Sequence, residues 1–417
     1  DAYRTSPAPN PSVPNFKPST TWEDGDPTKD TNNRLVVYST GTYNNASVTL
    51  EGWVGFLPYP ALVANGNIAV GGNSSIDGAY GSVHANANLS VGASAYVQQT
   101  ATATGTYTTS GNPTVGGFSG GGQPSLYVPH FVTTDPLPAT TTNTSPRLQD
   151  YLIQQADIIL VDPGFAAGAN SNPSSTDAAT QRLSNLADRL NVPYASLLSA
   201  VGANTSETAV EISRNLTLGT ATLSPISNVS SVGWSYTGGN NANWSIASTA
   251  ANGHTFYVVG QDNYNLSNPS ASTPNGGNVQ ISGNIGSTGS PLQITMLATG
   301  SFTVSGTPNL TANLRNFRTP ELPPFAKVDI LMAAVEDVKI NGDVDGGLVF
   351  NGIVYAGEQF YLTGNGKFDG QVISESNPDV SGSPVSANDI TGNFTLTLNN
   401  GNMVGTVSLI SWRQLKE

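Results

Sequence analysis

The chain has 417 residues, no cysteine and a formal net charge of −13 at pH 7, and only 10% of its residues are charged. The absence of cysteine excludes disulfides and thiolate metal sites. The negative charge disfavours unaided binding to nucleic acid or to an anionic membrane surface.

Residues 1–33 carry repeated prolines among polar residues, which predicts an extended N-terminal arm. Within it, Asp24, Asp26 and Asp30 place three carboxylates at i, i+2 and i+6. An oxygen-rich loop of this kind can hold calcium, the one cofactor that the residues suggest. A solvated acidic turn is the alternative interpretation, because the complete calcium loop of about twelve residues is absent.

Residues 34–57 predict an N-terminal β-hairpin. Apolar and polar residues alternate over 34–39 and 47–56, and the residues at 41–45 between them favour a turn.

A six-residue pattern recurs at 279–284, 302–307, 338–343 and 360–365. Two apolar residues alternate with polar ones, and a small polar residue, a glycine and a short polar residue follow. The alternation indicates a strand with one buried face, and the glycine permits a sharp corner. The inner apolar positions recur at intervals of 23, 36 and 22 residues, in the range of roughly 20–50 that indicates a solenoid. We therefore predict one interior column formed by Ile281, Val304, Ile340 and Leu362.

The same pattern appears earlier, at 64–73 and 85–93. It predicts that residues 58–135 form the first part of the solenoid and residues 228–392 its main part. The fold class is then mainly β, with a right-handed parallel β-solenoid. One coil cannot bury enough apolar surface to fold alone, so coils must stack and the exposed end coils need caps.

Residues 136–227 lie between the two solenoid parts and are predicted to be a connector with short helices. Leucines recur at helical spacing near 148–152 and 183–190, and a third helix is expected at 194–201, ending at Gly202. Ser175 or Thr176 is the expected cap of the second helix. These helices are predicted to cap or flank the solenoid.

Three aromatic residues, Trp234, Tyr236 and Trp244, surround a Gly-Gly-Asn-Asn turn. A hairpin with aromatic side chains on one face is predicted here. One interpretation is a ligand-binding surface on which sugars stack, and the other, which we favour, is cross-strand packing.

Residues 393–417 predict a C-terminal β-hairpin, because alternating segments at 393–398 and 404–410 flank an Asn-Gly pair. It is expected to join the N-terminal hairpin in a small antiparallel sheet, with the solenoid inserted between them.

No convincing active site is visible in the sequence. The histidines at 84, 130 and 254 have no partner at metal-ligand spacing, and one G-x-S-x-G match at 117–121 lies in a glycine-rich run where no helix can start. A carbohydrate-active β-helix enzyme is the alternative. Such sites use clustered carboxylates and a basic residue on one strand face, whereas the acids of the repeats sit mostly at corners. The acids in question are Asp343, Asp345, Glu358 and Asp369. We predict a protein that is not an enzyme.

Several segments resemble the bacterial PilX-type proteins associated with type IV pilus assembly: VYSTGTY at 37–43, PALVANGNI at 60–68, SVHAN at 82–86, QADIIL at 155–160 and NGIVYAG at 351–357. The plan is similar to that of large minor pilins, whose small pilin-like sheet carries an inserted β-solenoid. The resemblance covers most of residues 34–410.

The resemblance implies an extracellular or cell-surface location, incorporation at or near a pilus tip, and a role in adhesion or DNA uptake. It implies no catalytic residues. Expected partners are pilus subunits or neighbouring copies, and a surface glycan. The N-terminal hydrophobic helix of such proteins is missing from this chain, so contact with the membrane is expected only through that missing helix. A self-assembling surface-layer or filament subunit remains a further alternative.

Overall fold

The computed structural model describes residues 34–43, 46–58, 60–126, 128, 148–202, 204–215, 220–238, 242–260, 276–287, 289–317, 328–342, 349–376, 388–399 and 405–415. The arm predicted for residues 1–33 lies outside them. The chain divides into two compact units. One comprises Asp1–Tyr59, Pro323–Ala326 and Val404–Glu417, and the other comprises Pro60–Leu322 and Lys327–Met403.

The described part of the chain is mainly β. In chain order, the strands are β1 (Arg34–Tyr43), β2 (Ala46–Pro58), β3 (Leu62–Ala64), β4 (Ile68–Val70), β5 (Ser75–Asp77), β6 (Val83–Ala85), β7 (Leu89–Ala93), β8 (Tyr96–Val97), β9 (Ala101–Ala103), β10 (Tyr107–Gly111), β11 (Thr114–Val115), β12 (Ser119–Gly120), β13 (Ile158–Val161), β14 (Thr208–Asn215), β15 (Thr220–Ile226), β16 (Trp234–Thr237), β17 (Asn243–Ile246), β18 (His254–Val259), β19 (Val279–Ile281), β20 (Leu292–Ala298), β21 (Phe302–Ser305), β22 (Leu310–Thr311), β23 (Leu314–Phe317), β24 (Val328–Ala334), β25 (Val338–Gly342), β26 (Val349–Ala356), β27 (Phe360–Gly364), β28 (Lys367–Ser374), β29 (Asn388–Ile390), β30 (Thr395–Thr397) and β31 (Gly405–Leu415). The helices are α1 (Leu148–Ile153), α2 (Ala178–Leu190) and α3 (Tyr194–Val201), with short 3-10 turns at Val229–Val232 and Thr249–Ala251. None of these helices is long and apolar enough to cross a membrane.

The first unit contains a three-stranded antiparallel sheet in the order β1-β2-β31. β1 and β2 form the predicted N-terminal hairpin, with Tyr43 paired to Ala46 at its turn. β31 pairs along β2 from Thr49 to Pro58, with a register shift between Trp53 and Val54. Segments near both ends of the sequence thus form one small antiparallel sheet, as predicted, but with three strands, because residues 393–398 do not belong to it.

The second unit is a parallel β-solenoid whose strands stack in three columns. The first column runs β18-β20-β24-β26-β28-β3-β6-β9-β12. The second runs β17-β19-β21-β25-β27-β29-β4-β7-β10. The third runs β20-β22-β26-β28-β30-β5-β8-β11, because β20, β26 and β28 each span two columns. One strand segment from each column makes one coil.

The four residues predicted to share an interior column do so. They are successive register partners in the second column and all have 0% exposure: Ile281, Val304, Ile340 and Leu362. The column continues through Ile390, Val70 and Val91. The short sequence repeat therefore corresponds to one continuous column of apolar residues in the interior.

The order of the coils in the stack differs from their order in the chain. β28 pairs with β3, and β30 pairs with β5. The coil that begins the insertion, after β2, therefore lies directly beside the coil that ends it, before β31. From this join the stack extends in two directions.

One corner of the coils is made by residues in the left-handed region. The second-column strands are followed or ended there by glycines with φ between 66° and 83°: Gly72, Gly111, Gly283, Gly306, Gly364 and Gly392. A Cβ on Gly306 would lie 2.7 Å from the backbone nitrogen of Gly283 in the neighbouring coil. At Gly306 the glycine is therefore required both by its φ and by the close approach of the next coil.

Residues 136–227 contribute more than the predicted connector. The helices form where expected, although Asp177 caps α2 in place of Ser175 or Thr176, its side chain accepting from the Thr180 nitrogen. The interval also supplies β13, which pairs in parallel with β18, and then β14 and β15 in antiparallel order. With α3 packed on β14 and β15, this segment extends and covers one end of the stack.

The hairpin predicted for residues 393–417 is wrong. Its first strand is β30, which lies in the third column of the solenoid, and its second is β31, in the sheet of the first unit. Phe394 and Leu396 have 0% exposure in the solenoid interior. The apolar alternation of a coil strand is the same as that of a hairpin strand, so the pattern did not distinguish the two.

Candidate functional site

The predicted calcium ligands Asp24, Asp26 and Asp30 lie outside the described residues, so calcium binding stays a prediction. In the described part of the chain, no group of three or more His, Asp or Glu side chains is arranged to hold a metal ion.

The corner acids considered for a polysaccharide-active enzyme are not brought together as far as the structure describes them. Asp343 and Asp345 lie outside the described residues. Glu358 is buried before β27, whereas Asp369 is exposed on the third-column part of β28. Glycoside hydrolysis needs two carboxylates facing one bond, and Glu358 and Asp369 occupy different sides of the coil.

The aromatic residues form the predicted hairpin, β16 and β17, in which Tyr236 is the register partner of Trp244. Both Trp234 and Trp244 have 0% exposure, so neither indole offers a surface to a sugar. Tyr236 packs on Trp244 with ring centroids 5.1 Å apart, and Trp234 meets Phe256 edge to face at the same distance. The sugar-stacking interpretation is therefore wrong for the indoles, which belong to the core.

A buried carboxylate, Asp162, connects three distant segments beside these rings. One of its oxygens accepts from the Trp244 indole nitrogen at 2.7 Å, and the other accepts from the Gly277 backbone nitrogen at 2.7 Å. Its backbone oxygen accepts from the Asn204 side chain at 2.7 Å. Burial raises the pKa of Asp162, and these two donors to its carboxylate act in the opposite direction. The arrangement fixes the end of β13 to the solenoid.

The imidazole of His254 forms a second polar contact, at 3.1 Å between its Nδ1 and Asp157 Oδ2. The other Asp157 oxygen accepts from the Thr255 nitrogen at 3.0 Å. Burial raises the pKa of Asp157, while the nearby histidine lowers it. Because Asp157 precedes β13 and both partners belong to β18, the pair serves as a link between these neighbouring strands.

The other end of the stack is formed by β10, β11 and β12, residues 107–120, which we call the end coil. These strands pair in parallel with β7, β8 and β9 respectively, and no described strand pairs with their outer side. Tyr107 and Val115 pack on the interior, while the rest of β10 is exposed. Phe118 is 58% exposed, the largest value among the large apolar side chains of the described residues.

The end coil lies in an interval of the sequence that has no charged residue. Residues 78–134 contain no Asp, Glu, Lys or Arg, although the whole chain carries a net charge of −13. Edge strands of monomeric proteins usually carry lysine, other charges or proline that discourage pairing. Among residues 107–120 the only residue of this kind is Pro113, between β10 and β11.

Neither the end coil nor Asp162 was predicted from the sequence. The uncharged interval was visible in the sequence, but nothing local shows that residues 107–120 end a stack. Asp162 is 82 residues from Trp244 and 115 from Gly277, so no spacing pattern joins them.

Comparisons with known proteins give little information about the function of this chain. No family model matches the chain, and no curated protein matches its sequence. Among solved structures it is similar to the crystal structure of the competence-associated pilin ComZ from Thermus thermophilus. The TM-score is 0.36 and the identity 13%, over 99% of this chain and 89% of that chain. A TM-score this low does not establish a shared fold.

Proposed function

We propose that the chain is an extracellular structural component of a type IV pilus-like system, which displays a rigid β-solenoid at the cell surface or at a filament tip. The observation that carries the proposal is the plan of the chain. The first two described strands and the last one form one small antiparallel sheet, and the solenoid lies between them in the chain. Large minor pilins, which the sequence resembles, have the same plan.

Rigidity follows from bonds that repeat from coil to coil. Backbone ladders connect every pair of neighbouring coils, and asparagine side chains add a second ladder at the corners. Asn88 donates to Asn67 at 3.0 Å, and Asn393 donates to Asn365 at 2.8 Å. A stack held in this way resists bending, which suits the presentation of loops away from a cell. The partners are then pilus subunits through the small sheet and a surface ligand, such as a glycan, through the loops.

Immunogold electron microscopy of intact source cells tests this function. Antibodies against the purified chain should label the cell surface or filaments, and the chain should appear in the sheared filament fraction. A strain that lacks the gene is the matched control. Label that appears only after permeabilisation contradicts the proposal, as does the release of sugars from any polysaccharide by the purified chain.

A further inference from the structure

We propose that the end coil is a self-association surface, at which a second copy of this chain pairs its own end coil about a two-fold axis. This goes beyond the display function, because it assigns a partner and a residue register to one end of the solenoid.

The first support is the set of backbone groups that β10 leaves unused. The Thr106 oxygen accepts from the Leu89 nitrogen, and the Asn112 nitrogen donates to the Ala93 oxygen. In a parallel ladder, the backbone N–H and C=O groups of successive residues point alternately to the two sides of the strand. The groups that point towards β7 are therefore the Thr106 oxygen, both groups of Thr108 and Ser110, and the Asn112 nitrogen. The N–H and C=O groups of Tyr107, Thr109 and Gly111 point outward. Such a row is a ready template for another strand.

The second support is electrostatic, and it favours a copy of this chain over a charged partner. Two molecules with a net charge of −13 repel each other over most of their surfaces. The end coil lies within the uncharged interval 78–134, so two end coils can meet without placing like charges in contact. Phe118, which is largely exposed there, would be covered by the same contact.

The third support is the difference between the two ends of the stack. The opposite end carries the antiparallel strands β14, β15 and β16 and the helices, so it does not present the same open parallel coil. Head-to-tail growth would need two matching ends. A two-fold contact between identical end coils closes on itself and gives a dimer.

The two-fold axis predicts the register. Antiparallel pairing centred on Thr109 places Thr109 opposite its own copy and Tyr107 opposite Gly111, as hydrogen-bonded pairs. Thr108 then lies opposite Ser110 in a non-hydrogen-bonded pair, where side chains are closest, with Cα atoms about 4.5 Å apart. Thr108 and Ser110 are both exposed, so the side chains at these positions can be changed without altering the interior.

Sedimentation velocity over a concentration series tests the proposal with the full chain and two double variants. Thr108→Lys with Ser110→Lys puts lysine opposite lysine twice across the contact, and we expect it to raise the dimer Kd at least about tenfold. Thr108→Lys with Ser110→Glu puts opposite charges in register, and we expect it to keep the dimer. Circular dichroism should be unchanged in both variants, and so should the melting temperature at chain concentrations below the dimer Kd, where loss of the dimer does not itself lower it.

Three results would overturn the proposal. One is a wild-type chain that stays monomeric throughout the concentration series, because the edge of β10 would then be available only to a strand from a different protein. Another is a dimer that both double variants weaken equally or leave equally intact, since the register would then be wrong or the contact elsewhere. The third is open-ended polymerisation of the wild-type chain, which a closed two-fold contact does not allow.

Discussion

Replacing Gly306 with alanine tests whether successive coils touch at the glycine corner, and Gly283 supplies a matched control. The two glycines hold the same corner of adjacent coils, with φ of 78° and 82°. A Cβ on Gly306 would lie 2.7 Å from the Gly283 nitrogen, whereas a Cβ on Gly283 meets nothing within 4 Å. Both substitutions therefore carry the same conformational penalty, and only Gly306→Ala adds a clash with the neighbouring coil.

The magnitudes follow from these two terms. An alanine in the left-handed region costs about 1–2 kcal/mol. Overpacking against a backbone that cannot withdraw adds about 1–3 kcal/mol. We therefore expect Gly283→Ala to lower the free energy of unfolding by about 1–2 kcal/mol and Gly306→Ala by about 2–5 kcal/mol. For a unit of roughly 340 residues, 1 kcal/mol corresponds to about 1.4 °C in melting temperature.

Differential scanning calorimetry of both variants at one scan rate measures the difference. The expected decreases are about 1–3 °C for Gly283→Ala and about 3–7 °C for Gly306→Ala. Valine at either position should lower the melting temperature further, because a β-branched residue tolerates positive φ even less. Equal decreases in the two alanine variants would show that the coils do not touch at this corner. Unchanged melting of both would show that neither position is a left-handed corner.

Other substitutions test the corner, the interior and the buried carboxylate. Ala93 occupies the same corner with φ of 53°. Ala93→Gly should raise the melting temperature by up to about 1 °C, because relieved strain outweighs the entropy of glycine, and a decrease would contradict this. Phe360→Ala empties a fully buried position and should cost about 3–5 kcal/mol in urea unfolding; a loss below about 1 kcal/mol would refute the packing described. Asp162→Asn should cost about 1–3 kcal/mol, because Trp244 and Gly277 donate to different carboxylate oxygens and the amide NH2 would face one of these donors. Unchanged urea unfolding would contradict both hydrogen bonds. Since burial raises the pKa of Asp162, the folded chain binds this proton more tightly than the unfolded chain. The stabilisation that comes from this raised pKa is therefore fully present below the usual carboxyl pKa and is lost as pH rises through the folded pKa. The difference in unfolding free energy between wild type and Asp162→Asn, measured over a pH series, should decrease in the same way.

The interior of the solenoid was predictable because its signal is local. Each of Ile281, Val304, Ile340 and Leu362 sits two residues before a glycine, so position in the coil can be read from a short segment. The polar outward positions of the second column, such as Thr303 and Lys339, are exposed as expected.

The order of the coils was not predictable, because it depends on contacts between distant segments. Nothing near Ile390 indicates that Val70 follows it in the column. The outward side of the first column also departs from the expected polar surface, since Val63, Leu297 and Ile373 are buried there. Apolar residues on both faces of a strand indicate burial on both sides, but they do not show which segment lies opposite.

The join between β28 and β3 has a consequence for how the molecule is made. The Gln371 side chain donates to the Pro60 oxygen across a sequence separation of 311 residues. A ribosome therefore releases the coils of residues 62–120 long before their neighbour exists, and their unmatched edge has to survive without aggregation or chaperone capture until synthesis is nearly complete. For the same reason, a nonsense mutation just before residue 388 would remove β29 and β30 from the middle of the stack, and of the described strand pairings at this point only that of β28 with β3 would remain.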